Sequence, residues 1–362
     1  MSQEEFSLDN NIKFSVCIPN YNYEKYIGKT IQSVLDQCYK NFEIIIADNA
    51  STDNSIKVVR SFKDDRIIII KNNYNIGFSP NLDKATENAS GDYLILLSSD
   101  DLMSLGTLKT LAKNIQKYNG LQNPLVLTSS INIINENGQV KSNRYALIDQ
   151  IVNGLKKEQI FQNKSISVYS GQTLLKYALS NDFVIVGRFL STCFSKKLFE
   201  LVEGYNSITS IMPDVHFSHK LMLLNPKTIV IRDELFSYRI HSTNNYSAIF
   251  NHVKLAWDAY TFTNLYTDLQ LKPMGLSKLK LKSNFVNYWG SQSLWNNAFS
   301  GRISYSLKLW LLIWAVYPKL YRNKITSWIF PFFIPILVLI KLIFYNKVFL
   351  SIINKVKKHK KY

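Results

Sequence analysis

The sequence predicts an α/β protein, a mostly parallel twisted sheet with helices on both faces. Two observations carry this. Short apolar runs (FSVCI, FEIIIA, YLILL) alternate with segments whose apolar residues recur at the helical period, the sequence form of strands joined by crossover helices. Each run also stops at a polar residue, which sets the strand ends on one rim of the sheet, where open α/β sheets bind ligands.

Residues 14–18 form a short strand stopped by Pro19. Tyr26, Ile27, Ile31, Val34, Leu35 and Cys38 make one buried stripe on a helix over 23–38. Residues 42–47 are apolar throughout, as in a strand covered on both faces. Asp53 caps a helix to about residue 62, and 66–70 supply a third strand. Ser79-Pro80 starts the next helix, with proline at its first position, and 93–97 is the fourth strand. Ser104 opens a helix to about residue 118, and 125–127 begin another strand.

The pattern then changes. Residues 131–134 and 140–145 flank Asn137-Gly138, a strong hairpin signal. Residues 146–172 mix Asn, Gln, Lys and Ser without periodicity and read as a mobile loop. Residues 183–194, 228–231 and 235–240 read as strands completing a mixed sheet, and from Asn251 the chain is helical and aromatic-rich.

Charge divides the 362-residue chain unevenly. Residues 269–362 hold 16 Lys and Arg and no Asp or Glu, leaving 27 basic against 26 acidic side chains in the rest, so the net +17 resides at the end. A basic segment suits nucleic acid or an anionic membrane surface. The interleaved apolar stretches LKLWLLIWAVY and SWIFPFFIPILVLIKLIFY decide for the membrane and against nucleic acid. Residues 326–345 are long enough to span a bilayer, but Pro331, Pro335 and Lys341 interrupt them and basic clusters flank both sides. The positive-inside bias therefore favours helices lying in the interface or re-entering, with both ends on the cytoplasmic side. Cys17, Cys38 and Cys193 have no metal-ligand spacing and read as reduced thiols. MSQEEFSLDNN lacks the apolar core of a secretory signal. The expected location is the cytoplasmic face of the cell membrane, peripheral or monotopic.

FSVCIPNYN, IIIADNASTDNS, NIGFSPNLDKA and GDYLILLSSDD, in this order between Phe14 and Met103, resemble the family-2 glycosyltransferases of the GT-A fold, whose sheet is Rossmann-like. The likeness is specific over residues 14–104 and extends in part to about residue 245. It implies a metal-dependent, inverting hexosyltransferase that moves a sugar from a nucleotide-sugar, in the first instance a UDP-sugar, to an acceptor hydroxyl. The implied organisation is a polar extension over 1–12 and a catalytic domain over 13–248, with a nucleotide-sugar-binding half over 13–120 and an acceptor half over 121–248. A helical aromatic-rich extension over 249–302 and a basic, apolar membrane-associating tail over 303–362 follow. A membrane-bound transferase implies a lipid-linked or glycan acceptor in cell-surface polysaccharide synthesis.

The resemblance also implies site residues. Pro19, Tyr21 and Asn22 follow the first strand and Asp48 ends the second, so they meet at one edge and would cradle base and ribose; Asp48 is equally able to cap its turn. Asn75 and Gly77 lie where backbone would approach the donor. Leu97-Ser98-Ser99-Asp100-Asp101 stands at the family's Asp-x-Asp motif with Ser98 in place of the first Asp. Ser99 and Asp100 are assigned to the donor, Asp100 also to Mn2+ or Mg2+, and Asp101 to support of the following loop. The cation suits a leaving nucleoside diphosphate that gains negative charge. Tyr238-Arg239-Ile240-His241 resembles the segment that closes the family's domain. His241 would complete the metal shell or touch the diphosphate, and Arg239 would pair with phosphate or an acidic neighbour. Asp214, in MPDVHFSHKL with Pro213 in place of the family's Glu, would be the base, while Pro-Asp before a helical run also reads as a cap.

Two other functions were weighed. A nucleotidyltransferase needs a Gly-rich loop after the first strand, and no glycine precedes Gly28. A catalytically inactive nucleotide-sugar-binding membrane scaffold is motivated by Ser98 and Pro213 and opposed by Asp48, Asp100, Asp214 and His241.

Overall fold

The structure is a computed structural model that describes residues 11–143, 147–155, 157–163, 165–180, 189–205, 213–241 and 264–285. The chain divides into two units, 1–245 and 246–362.

The first unit is built on an eleven-stranded sheet. Strands β1 (Phe14–Asn20), β2 (Phe42–Asp48), β3 (Ile67–Lys71) and β4 (Tyr93–Leu96) make its parallel half in the order β3-β2-β1-β4. Helices α1 (Ile27–Leu35), α2 (Ser55–Ser61) and α3 (Phe78–Glu87) connect them. Every residue of β1, β2 and β4 is buried, because both faces are covered. Phe14, Val16, Ile18, Ile44 and Ile46 pack with Ile27, Ile31 and Val34 of α1 in one core. On the other face Asn81 Nδ2 of α3 donates to the Ala47 carbonyl at 2.9 Å. Continuous apolar runs are what two-sided burial requires.

After β4 come β5 (Leu102–Met103), α4 (Thr107–Lys117), β6 (Leu125–Ile134), β7 (Val140–Asn143), α5 (Leu147–Gly154), β8 (Phe161–Gln162), β9 (Ile166–Ser170) and α6 (Gly171–Ser180). Then follow β10 (Thr192–Ser195), α7 (Lys196–Leu201), α8 (Pro213–Leu223) and β11 (Lys227–Arg239). Strand β10 is antiparallel to both β4 and β6, so it joins the parallel half to a mixed half ordered β6-β11-β9-β8. The hairpin forms, with Asn135 Oδ1 accepting from the backbone of Asn137 and Gln139 and Gly138 at φ 90°.

Three expectations are corrected. Residues 146–172 are not one loop. They hold α5, β8, β9 and the start of α6, and Ile148, Ile151, Val152 and Leu155 bury one face of α5 and its end. The runs 228–231 and 235–240 are one strand, β11, whose pairing to β6 slips on either side of Glu234; bulges absorb the polar residues that had suggested a gap. Among the described residues of 183–194, Phe189–Ser191 form a 3-10 turn and strand β10 begins at Thr192, while 181–188 lie outside the described residues.

In the second unit the described residues include Asp268–Leu271 and Lys278–Phe285, both helical. Thr267 opens the first with a reciprocal capping box to Gln270. The basic tail, 303–362, lies outside the described residues. Among the described residues no helix is long and apolar enough to cross a membrane.

Candidate active site

The C-terminal ends of β1, β2 and β4 share one rim because the strands are parallel and in register, Asn20 opposite Asp48 and Cys17 opposite Leu96. Asp48 is fully buried. Its Oδ1 accepts from Asn20 Nδ2 at 3.0 Å and its Oδ2 from the Ser51 backbone at 3.1 Å. The carboxylate therefore shapes the turn after β2. Asn22 knits the same edge, its backbone donating to Ser51 Oγ at 3.0 Å and its Oδ1 accepting from Thr52 at 2.8 Å. Asn22 and Ala50 both sit at positive φ, 60° and 61°. Pro19 holds the loop after β4 by accepting from Ser99 Oγ at 2.7 Å. Tyr21 leaves its ring 42% exposed at the rim.

The loop after β3 is fixed by an asparagine network that sequence reading found only in part. Asn49 Nδ2 donates to Asn75 Oδ1 at 2.9 Å and to the Gly77 carbonyl at 3.1 Å, and Asn49 Oδ1 accepts from Ile76 at 2.9 Å. Asn72 joins Asn49 to Asn81. Gly77, at φ 91°, turns the chain into α3.

Asp100 and His241 come together. His241 Nε2 lies 2.8 Å from Asp100 Oδ2, although the two are 141 positions apart in sequence. Asp101, 1% exposed, instead accepts from the Arg239 backbone at 2.8 Å. Burial, then the Asp100 charge, pushes the Asp101 carboxyl well above the usual range. The Arg239 guanidinium donates to backbone, Nε to the Asp100 carbonyl at 2.7 Å and Nη1 to the carbonyls of Asn135 and Glu136 at 3.2 and 2.9 Å, and its charge acts on the acidic neighbour Asp101. It is fully buried and braces the Asp100 loop against the hairpin. Tyr23, not foreseen from sequence, meets His241 edge-on at 6.1 Å. Burial, then the charges of Asp100 and Asp101, raises its phenol pKa.

The donor set fits a hard divalent cation. A carboxylate oxygen and an imidazole nitrogen, here hydrogen-bonded to each other at 2.8 Å, are both donors that Mn2+ or Mg2+ would accept. Among the described residues no group of three or more His, Cys, Asp or Glu is placed to hold a metal ion by itself. Phosphate oxygens and water would complete the shell, the usual habit of Mg2+ in nucleotide sites.

Asp214 stands in the first turn of α8, half-buried, and its charge raises the phenol pKa of Tyr205 after burial does. Tyr205 stacks on Phe217 at 4.2 Å, and Lys220 Nζ donates to the Gly204 carbonyl at 2.8 Å. Lys220 therefore serves the helix seat.

Residues 15–170 match the family model described as glycosyl transferase family 2. Glycosyltransferase GlyA of Streptococcus pneumoniae is 28% identical over 232 residues, 63% of this chain and 30% of its own length. The Escherichia coli protein WfaP, described as a UDP-Glc:alpha-D-GlcNAc-diphosphoundecaprenol beta-1,3-glucosyltransferase, is 45% identical over 87 residues, 24% of this chain and 35% of its own. The chain thus spans about a third of the length of either relative. Staphylococcus aureus TarS, solved with UDP-GlcNAc, superposes with a TM-score of 0.61 at 17% identity, over 86% of this chain and 83% of that one. That likeness shows the fold.

Proposed function

We propose, from the match of residues 15–170 to glycosyl transferase family 2, that the chain is an inverting, metal-dependent transferase that moves a sugar from a UDP-sugar to a lipid-linked glycan. The observation that carries this reading is the Asp100–His241 pair, set on the rim where β1, β2 and β4 end.

The loops of Pro19, Tyr21 and Asn22, of Asp48, and of Asn75 and Gly77 would receive base and ribose. Ser99 would hold the loop on which Asp100 meets the diphosphate. Mn2+ or Mg2+ held by Asp100 and His241 would offset the charge that grows on the leaving nucleoside diphosphate. Asp214 would accept the proton of the acceptor hydroxyl as its oxygen bonds to the anomeric carbon. The bond to the diphosphate breaks on the opposite face, which inverts the centre. A lipid-linked acceptor is supported by the activity described for WfaP and by the apolar, acid-free residues 303–362, which would hold the enzyme at the cytoplasmic membrane face.

The test is a panel of nucleotide-sugars offered with bacterial lipid extract, with and without Mn2+. Metal-dependent label in the lipid phase is the expected result. Label only in water-soluble glycan would move the acceptor. Nucleotide binding without turnover would favour the inactive scaffold. Flotation with anionic liposomes checks the tail: the full chain should float, and a chain lacking 303–362 should not.

A further inference from the structure

We propose that Tyr26 is a positioning residue for His241, fixing the plane of the imidazole and so the direction in which Nε2 meets Asp100. This rests on the reading of Asp100 and His241 as the metal-holding pair. The hydrogen bond at Nε2 fixes one atom of the imidazole, and a ring stacked on its face constrains the plane. Tyr26 supplies the stack, with ring centroids 4.8 Å apart and planes inclined by 29°.

Tyr26 is itself held. It is 7% exposed, its hydroxyl donates to Glu136 Oε1 at 3.0 Å, and the Arg239 guanidinium carbon lies 5.3 Å from its ring centroid. Lys25 Nζ reaches the same Glu136 oxygen at 2.8 Å. Glu136 belongs to the β6–β7 turn, whose carbonyls anchor Arg239, so the clamp spans both halves of the first unit.

The same helix aims the other member of the pair. Thr30, one turn beyond Tyr26 and on the same face, donates through Oγ1 to the Ser99 carbonyl at 2.9 Å, next to Asp100. One face of α1 thus touches the imidazole directly and the carboxylate through its neighbour. Groups that orient a metal-holding histidine are worth about 10- to 100-fold in metal affinity.

The test uses the full chain with isotope-labelled histidine, whose five rings give few resonances, and Mn2+ binding followed by electron paramagnetic resonance. Tyr26→Leu should shift and broaden the His241 signal alone and weaken Mn2+ about tenfold or more. Tyr26→Phe, which keeps the ring, should restore most of both. An unmoved His241 signal with wild-type Mn2+ affinity in Tyr26→Leu would overturn the proposal. Should that variant fail to fold, Tyr26→Met, which also removes the stacked ring but refills its volume, is read in the same way, and an unmoved His241 signal with wild-type Mn2+ affinity there overturns the proposal. If His241→Ala leaves Mn2+ binding intact, the metal reading fails and the resonance in Tyr26→Leu alone decides the positioning role.

Discussion

The backbone N–H of Tyr205 donates to Oδ1 of Asp83 at 2.7 Å, across 122 residues of sequence. Asp83 lies on α3, the helix that leaves the Asn75–Gly77 loop, and Tyr205 stacks on Phe217 of α8, one turn beyond Asp214. One carboxylate therefore ties the donor side to the helix of the candidate base. Asp83→Ala should cost about 1–3 kcal/mol by leaving a buried donor unpaired and should lower turnover more than donor affinity. Denaturant melts and steady-state kinetics check both. Gly204→Ala should act the same way, because Gly204 sits at φ 67° and an added Cβ would stand 2.9 Å from Asp83 Oδ1.

Asp100→Ala and Asp214→Asn should fail differently. The first removes the carboxylate beside His241 and should abolish metal-dependent binding of nucleotide-sugar while the melting curve stays near wild type. The second keeps side-chain shape but cannot take a proton, so donor affinity should hold and turnover should fall roughly 100-fold or more. Calorimetry with and without Mn2+, run beside turnover assays, separates them. Retained transfer in Asp214→Asn would move the base elsewhere.

Two histidines of α8 make the fold acid-sensitive. Burial lowers His216 to about 4 and His219 to about 3, against an ordinary value of 6.5. Below that ordinary value the unfolded chain takes protons that the folded chain refuses. Stability is therefore fully present above 6.5 and is lost as pH falls toward the folded values, by up to about 1.4 kcal/mol per pH unit for each ring. Urea melts across this window should show the slope, and His219→Phe should flatten it. An unaltered slope would assign the acid sensitivity to other groups.

At the opposite end of β2 from Asp48, Glu43 joins the strands' N-terminal ends. It accepts from Lys13 Nζ at 2.7 Å, Ser15 Oγ at 2.6 Å, and the backbone and hydroxyl of Ser90 at 2.6 and 2.7 Å. Burial alone would raise its pKa, but these donors outweigh it and hold the carboxyl down at about 2. The stabilisation is present above the ordinary 4.5 and disappears as pH falls toward 2. Glu43→Gln should cost about 2 kcal/mol at neutral pH without altering Mn2+ or donor binding, and thermal melts check it.

The parallel half was legible because its signals are local. Asp48 and Asp100 follow apolar runs, and Asp214 precedes a helical one, so residue type and position coincide. The bracing role of Arg239 was not legible because its side chain bonds to the carbonyls of Asp100, Asn135 and Glu136, which have no residue identity to read. Tyr26 looked like one more apolar position of α1; its contact with His241 exists only once β11 has crossed the sheet. In the stretch 146–172, Leu147, Ile148, Ile151, Val152 and Leu155 do keep helical spacing, but one short amphipathic stripe is easily lost among polar neighbours. Strand β11 reads as two strands because its bulges interrupt the alternation that marks a strand.

The distance in sequence between Asp100 and His241 has a consequence for a chain still on the ribosome. At about 5–20 residues per second, the carboxylate emerges on the order of ten seconds before the imidazole. Throughout that interval the nascent protein can carry β1 to β4 and Asp48, yet it lacks His241, Arg239 and, until late, Asp214. Under the proposed mechanism a half-made enzyme could at most hold its donor, and cleavage of the activated sugar would wait for translation to pass residue 241.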